Sequence, residues 1–289
     1  MTVREVRVSG LDCVALVTEL LHRIRLADPW AGFWEAADLQ WWWRRPRRSD
    51  EVEQLFWVDD DGPVAAVILT EWGHAWGCDP ITTGSVPAVP PEVVVARGLD
   101  LVDTLGLAEV ETLVSDDDVE LRHLLTAYGF DAAGDSSGTC WMEAGSRPEV
   151  AAVASGFTLV DRRREAGLPH PMRKRNGADV QARLDQCSLY DPSLDLAIRA
   201  PDGEVAGYAL FWYDPVTQVG LVEPMRVEDA YQRRGLARAL LTEGLQRLAL
   251  RGARRLKVGY ETDIARALYV GAGFRVTSLS RTYRWKAAA

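Results

Sequence analysis

Two short stretches of this chain repeat each other nearly half a chain apart, and that repeat constrains the fold more than any other feature. Asp61-Gly62-Pro63-Val64-Ala65 matches Asp202-Gly203-Glu204-Val205-Ala206 at an offset of 141 residues. LLTAYGF, ending at Phe130, matches LYVGAGF, ending at Phe274, at an offset of 144. Two similar offsets point to one plan used twice. In each half a strand passes through a D-G turn into a strongly apolar strand, WVDDDGPVAAVILTEW at 57–72 and IRAPDGEVAGYALFWY at 198–213. A helix and a short strand follow in each half, the strands being AEVETLV at 108–114 and ARRLKV at 253–258. The expected architecture is α/β: two units in tandem, residues 1–145 and 150–289, each a mostly antiparallel sheet flanked by helices. AGSRPE, at 144–149, has the composition of the linker between them.

Charge separates the same halves. Residues 1–147 hold 26 acids and 11 bases, whereas residues 148–289 hold 16 acids and 22 bases. That contrast suggests two units with different work. The basic run RRPRR at 44–48 lies in the acidic half, which argues against nucleic acid as a partner. No apolar run reaches the ~20 residues that span a bilayer, and the N-terminus lacks the apolar block of a signal peptide. The expected compartment is therefore the cytoplasm, with no membrane partner. Cys13, Cys78, Cys140 and Cys187 are scattered, as are the four histidines, so buried free thiols are expected rather than a metal site or a disulfide framework.

In the second half the pattern predicts a strand near 156–165 and a helix over 178–188, then antiparallel strands at 194–200, 205–214 and 217–227. A helix over 235–251, a strand at 254–260, a helix at 263–271 and a last strand at 274–285 complete it. Strand 217–227 runs into AYQRRGLARALL, Ala230–Leu241, where two arginines and a glycine stand at the mouth of the helix. The first turn of a helix exposes N–H groups without partners and about half a positive charge. Gly235 allows an anion to approach that backbone, and Arg233, Arg234 and Arg238 add charge around it. The spacing is neither GxxxxGK[ST] nor GxGxxG, so a nucleoside triphosphate or Rossmann dinucleotide site is not supported.

Gln232-Arg233-Arg234-Gly235-Leu236-Ala237 resembles the acyl-CoA pyrophosphate loop of the GCN5-related N-acetyltransferase (GNAT) superfamily, whose pattern is [Q/R]-x-x-G-x-[G/A]. The preceding strand GLVEPMRV and the later ARALYVGAGF resemble the same family, and the ordered set covers about 70 residues. The tandem arrangement resembles two-domain members such as mycothiol synthases. The resemblance implies acetyl-CoA as co-substrate, with no metal. It implies that the backbone of Met225, Arg226 and Val227 pairs with the pantetheine arm as an added strand, and that Gln232, Arg233, Arg234, Gly235, Leu236, Ala237 and Arg238 hold the pyrophosphate. Tyr269 falls where the family often has a tyrosine that protonates the leaving thiolate; a phenol with a pKa near ~10 is protonated at neutral pH and can donate. Glu223, on the strand before the loop, is placed to take a proton from the attacking amine. The alternatives are a helix-packing aromatic beside Phe274 and a strand carboxylate paired with an arginine. Thr262 stands where the family often has asparagine; it can still cap the following helix.

The first half lacks these features. The repeat offsets bring AVPPEV, Ala88–Val93, onto the loop, where Pro90 and Pro91 offer no N–H and the glycine is absent. Tyr269 maps to Leu125, which cannot donate a proton. This unit is expected to have lost acyl-CoA binding. It holds nine of the eleven tryptophans, and Trp30, Trp34 and one or two of Trp41–Trp43 are expected to pack a core or the domain interface. The rival reading makes ADPWAGFWEAADLQWWWRRPRR a wall of the acceptor pocket. The expected activity is acetyl transfer to a primary amine of a small molecule, by direct attack in a ternary complex. A protein or peptide acceptor, or a non-catalytic acyl-CoA-binding regulatory module, is the alternative.

Overall fold

The computed structural model describes residues 2–30, 32–83 and 88–287. The chain forms two compact units that do not follow its sequence halves. The first consists of Met1–Leu39, Pro46–Ser137 and Ser278–Ala289, and the second of Gln40–Arg45 and Gly138–Thr277. Of the strands that close the two halves of the sequence, β6 (Asp131–Glu143) thus gives Gly138–Glu143 to the second unit, and β12 (Arg275–Lys286) gives Ser278–Lys286 to the first.

In the first unit, β1 (Arg4–Val8) and α1 (Gly10–Ala27) are followed by the start of α2 (Ala36–Trp42), β2 (Gln54–Asp59), β3 (Gly62–Glu71) and β4 (Trp76–Thr82). Then come α3 (Pro91–Thr104), β5 (Glu109–Ser115), α4 (Val119–Ala127) and the start of β6 (Asp131–Glu143). Strands β1 to β4 pair antiparallel in sequence order, and β4 meets β5 in parallel at Gly77↔Glu111. β5 is paired antiparallel with the C-terminal strand, from Ser280↔Ser115 to Lys286↔Glu109. Leu55, Val67, Leu69, Val94, Val102, Val110 and Phe130 are buried in its core. The apolar face of α3, spaced at helical period, covers one side of the sheet.

The second unit repeats the plan. It contains β7 (Thr158–Asp161), α5 (Arg173–Asn176), α6 (Val180–Leu184), β8 (Asp195–Arg199), β9 (Val205–Asp214), β10 (Val219–Val227), α7 (Leu236–Arg251), β11 (Arg255–Tyr260), α8 (Asp263–Gly271) and the start of β12 (Arg275–Lys286). β7, β8, β9 and β10 pair antiparallel, β10 and β11 pair in parallel, and β11 pairs antiparallel with Gly138–Glu143 of β6. Leu236, Leu240, Leu245 and Leu248 of α7 pack on Phe211, Val222 and Leu256 of this sheet. Gly244 sits directly over the Phe211 ring, where a Cβ would overlap the ring carbons. The helix therefore lies closer to the sheet than any residue with a side chain would permit.

The elements from β8 to β12 agree with the sequence pattern, whereas the strand expected near 156–165 is confined to Thr158–Asp161. The helix expected over 178–188 is a five-residue helix at Val180–Leu184, anchored by the buried Val180 and Leu184. Helices this short depend on tertiary anchoring rather than propensity. Among the described residues no helix is long and apolar enough to cross a membrane.

Candidate active site

The site grows out of an interruption in the sheet of the second unit. β10 and β11 pair in parallel only from Val219↔Arg255 to Val222↔Val258. Between Val222 and Met225 the register of β10 against β9 shifts, which marks a bulge, and the Glu223–Pro224 peptide bond is cis. After the bulge β10 stays with β9, through Met225↔Ala209, Arg226↔Tyr208 and Val227↔Gly207. Its pairing with β11 does not resume. A bulge bends a strand and increases its twist, so the two parallel strands part where Glu223 stands. Met225, Arg226 and Val227 line the edge so opened, and such an edge is a template for an added strand.

The loop after β10 delivers the helix. Arg233 has φ of 62° and Gly235 has φ of 77°, both in the left-handed region. Only glycine adopts it without strain, and a non-glycine residue held there marks a site of functional interest. No atom lies within 4 Å of where a Cβ on Gly235 would stand, so the approach to this backbone is open. The first bond within α7 runs from the Ala239 N–H to the Gly235 carbonyl at 3.1 Å, and no side chain caps the helix. The N–H groups of Leu236, Ala237 and Arg238 are thus left without helical acceptors. The Leu236 side chain is buried in the core, so only its backbone can serve the loop. Arg234 lies over Tyr231 at 5.8 Å and over Phe157 at 5.9 Å, which holds it beside the turn. Gln232 is turned back on the strand through its amide N–H, to Asp229 at 3.1 Å and the Val227 carbonyl at 3.4 Å. Positive φ values flanking free amides make an anion-binding concavity, and the residues present fit a diphosphate.

Tyr269 and Glu223 are brought into the same neighbourhood. Tyr269 is buried on α8, edge-on to Phe274 with ring centroids 6.1 Å apart. Burial raises its phenol pKa far above the usual value, and the charge of Glu223 and then that of Cys140 push it in the same direction. The hydroxyl therefore stays protonated throughout the physiological range. The Glu223 carbonyl accepts the Trp212 indole N–H at 2.7 Å, which fixes the backbone at the bulge. Thr262 caps α8 by accepting the Ala265 N–H at 3.2 Å.

Gln40–Arg45 belong to the second unit and are bonded to the segment between β7 and β8. Gln40 donates to Ser188 and accepts the Leu189 N–H, both at 2.9 Å. The Trp43 indole donates to Gln186 at 2.7 Å, and Arg183 stacks on the Trp43 ring at 3.8 Å. Arg44 donates to Asn176 at 2.8 Å. The stretch QWWWRR thus belongs to the second unit, with Trp41 buried and Trp42 and Trp43 half-buried. Trp30, expected to pack, is 56% exposed.

The first unit carries an altered copy of the same geometry. Its α3 begins at Pro91 with Pro90 as the cap at φ −56°, so the left-handed glycine and two of the amides are missing. Leu125 holds the place of Tyr269 and is buried. Within the repeat, Asp79-Pro80 on β4 also matches Glu223-Pro224 at the offset of 144. Asp79 is 5% exposed and accepts a hydrogen bond from the Thr112 hydroxyl at 3.2 Å. Burial raises its pKa to about 7. Among the described residues no cluster of His, Cys, Asp and Glu is arranged to hold a metal ion.

Comparison with known proteins agrees with this geometry. Residues 161–274 match the model of the acetyltransferase (GNAT) family. The chain is 30% identical over 263 residues to a protein named mycothiol acetyltransferase from Clavibacter michiganensis subsp. michiganensis, covering 81% of this chain and 84% of that one. Among solved structures, a tandem GNAT protein from the clavulanic acid biosynthesis pathway aligns with a TM-score of 0.73 at 14% identity, over 100% of this chain and 99% of the other. A GCN5-related N-acetyltransferase from Sphaerobacter thermophilus aligns with a TM-score of 0.64 at 16% identity, over 98% and 95%. With a glycine-led anion loop, an opened strand edge and two repeated α/β units already in place, these likenesses assign the chain to the GCN5-related N-acetyltransferases as a tandem member of that family.

Proposed function

We infer that the second unit transfers the acetyl group of acetyl-CoA to a primary amine on a small molecule, by direct attack within a ternary complex. The observation that carries this reading is the helix start at Gly235, with three free N–H groups at the end of a strand edge that has lost its partner. Acetyl-CoA supplies an activated thioester. The chain's own residues supply the rest. Met225–Val227 offer backbone to the pantetheine arm, and Gln232–Arg238 offer amides and charge to the diphosphate. An amine attacks only after it has lost its proton, and Glu223 is the group assigned to attract the ammonium and take that proton. The protonated Tyr269 donates to the departing thiolate. We assign the segment between β7 and β8, with residues 40–45 bonded to it, to the acceptor side of the site, which suits a small molecule. The relative named for mycothiol also supports a small-molecule acceptor. We assign the reaction to the cytoplasm, with no metal.

The first unit is assigned no acyl-CoA site, because Pro90 and Pro91 remove the amides and Leu125 removes the phenol. The test is CoA release from acetyl-CoA against a panel of small primary amines and a lysine peptide, with Tyr269→Phe alongside. The reading requires amine-dependent release that falls steeply in the variant. Release with the peptide alone would move the acceptor to protein. Acetyl-CoA binding without release for any amine would make the unit a binding module.

A further inference from the structure

The segment between β7 and β8 is long for a connection and nearly without regular structure, holding two helices of four and five residues. Such segments in compact folds are functional unless disordered, and this one is pinned. The His170 ring accepts the Met172 N–H through Nδ1 at 3.1 Å, so its proton sits on Nε2, which faces Asp195 at 2.8 Å. Tyr190 donates to the same Asp195 oxygen at 2.9 Å. His170 and Asp195 are both buried. Arg162 is buried as well and donates to the carbonyls of Ala166 at 3.2 Å and Leu168 at 2.7 Å. Burying a carboxylate and two bases is costly unless every hydrogen bond is made. Here the result is a fixed platform.

What the platform presents is a run of three cations. Met172 is buried at the start of α5, and Arg173, Lys174 and Arg175 then stand exposed. Arg175 is held against Glu228 at 3.3 Å. Tyr208 pairs with Arg226 on the neighbouring strand, and Arg226 shares Glu228 at 3.4 Å. Arg173 and Lys174 make no side-chain hydrogen bond or ion pair among the described residues. Glu228 and Asp229 therefore balance Arg175 and Arg226, and two cations are left over. Arg226 is three residues beyond Glu223 on β10.

We propose that Arg173 and Lys174, on the anchored α5 platform beside Arg175 and Arg226, bind an anionic group of the acceptor, which is then an amine bearing a phosphate or carboxylate. The proposal rests on the acetyltransferase reading above and narrows its substrate class. A cation pair held on a rigid support gives charge-assisted contacts without the entropy cost of ordering a loop. The diphosphate of the co-substrate has its own donors at Gly235.

The test uses matched probes on the whole chain saturated with acetyl-CoA: ethanolamine and phosphoethanolamine, β-alaninamide and β-alanine, glucosamine and glucosamine 6-phosphate. Binding is followed by calorimetry. At least one anionic probe is expected to bind ~10-fold or more tightly than its uncharged partner, a preference that weakens with salt. The double variant Arg173→Gln/Lys174→Gln is expected to lose that preference while keeping its affinity for acetyl-CoA. Equal binding within every pair, or no anionic probe bound, overturns the proposal and leaves the acetyltransferase reading standing. A double variant that loses acetyl-CoA affinity instead assigns these cations to a phosphate of the co-substrate and also overturns it. Failure of the wild type to bind acetyl-CoA at all refutes the underlying reading.

Discussion

Replacing Gly235 by alanine isolates the role of one backbone conformation. The residue has φ of 77° and ψ of 1°, and the space where a Cβ would stand is empty to 4 Å. An alanine there meets no neighbour, so its cost is that of the left-handed backbone alone, ~1–2 kcal/mol. The chain can meet that cost in two ways. If the loop keeps its shape, the second unit loses the energy as stability. If the loop relaxes to negative φ, the N–H groups of Leu236, Ala237 and Arg238 turn away from the diphosphate. A loss of ~1–2 kcal/mol in binding is roughly a 5- to 30-fold rise in the acetyl-CoA dissociation constant. Asparagine tolerates this backbone better than alanine, so Gly235→Asn is the control. Urea unfolding and calorimetric titration of acetyl-CoA on all three proteins separate the two costs. Their sum should reach ~1–2 kcal/mol for alanine and less for asparagine. An alanine variant equal to wild type in both assays, or an asparagine variant worse than alanine, would refute the argument.

Further outcomes follow from the same geometry. Tyr269→Phe keeps the ring packed on Phe274 and removes the proton donor; kcat should fall ~100-fold or more while acetyl-CoA affinity holds, and unchanged kcat would remove Tyr269 from the chemistry. Because its phenol is pushed upward, wild-type activity should show no alkaline loss from this group below the ordinary tyrosine range. Asp79 in the first unit has its pKa raised to about 7, so the folded state binds its proton more tightly than the unfolded state. That contribution to stability is full below about pH 4 and is lost as pH rises through about 7. Asp79→Asn should therefore stabilise the protein at pH 8 by up to ~4 kcal/mol and flatten the change in stability between these values; urea midpoints across this range test it. Gly244→Ala forces a methyl into the Phe211 ring and should cost ~1–3 kcal/mol, seen as a lower urea midpoint without a change in acetyl-CoA affinity at matched folded protein.

The sequence carried the local chemistry of the second unit well. Alternation and apolar spacing mark β8 to β11 and α7 within one or two residues, because both signals are local and the turns PDGE and DPVTQ punctuate them. The partners of β6 and β12 were not legible. Nothing within DAAGDSSGTCWME or RVTSLSRTYRWK states which sheet the strand completes; that depends on pairing at long range. Residues 40–45 were legible only as an excess of tryptophan, since Gln40 and Trp43 find their partners at Ser188 and Gln186, over 140 positions away. The α5 platform was hidden for a related reason. His170 and Asp195 read as scattered polar residues until the fold buries them together. The Asp79-Pro80 match was present in the repeat and needed only the offset of 144 to find it.

Calorimetric titration of acetyl-CoA into the full chain counts the live acyl-CoA sites. One site per chain, weakened by Gly235→Ala and untouched by changes at Pro90, is the predicted result. Two sites would contradict the assignment of the first unit as silent, and no site would contradict the acetyltransferase reading of the second.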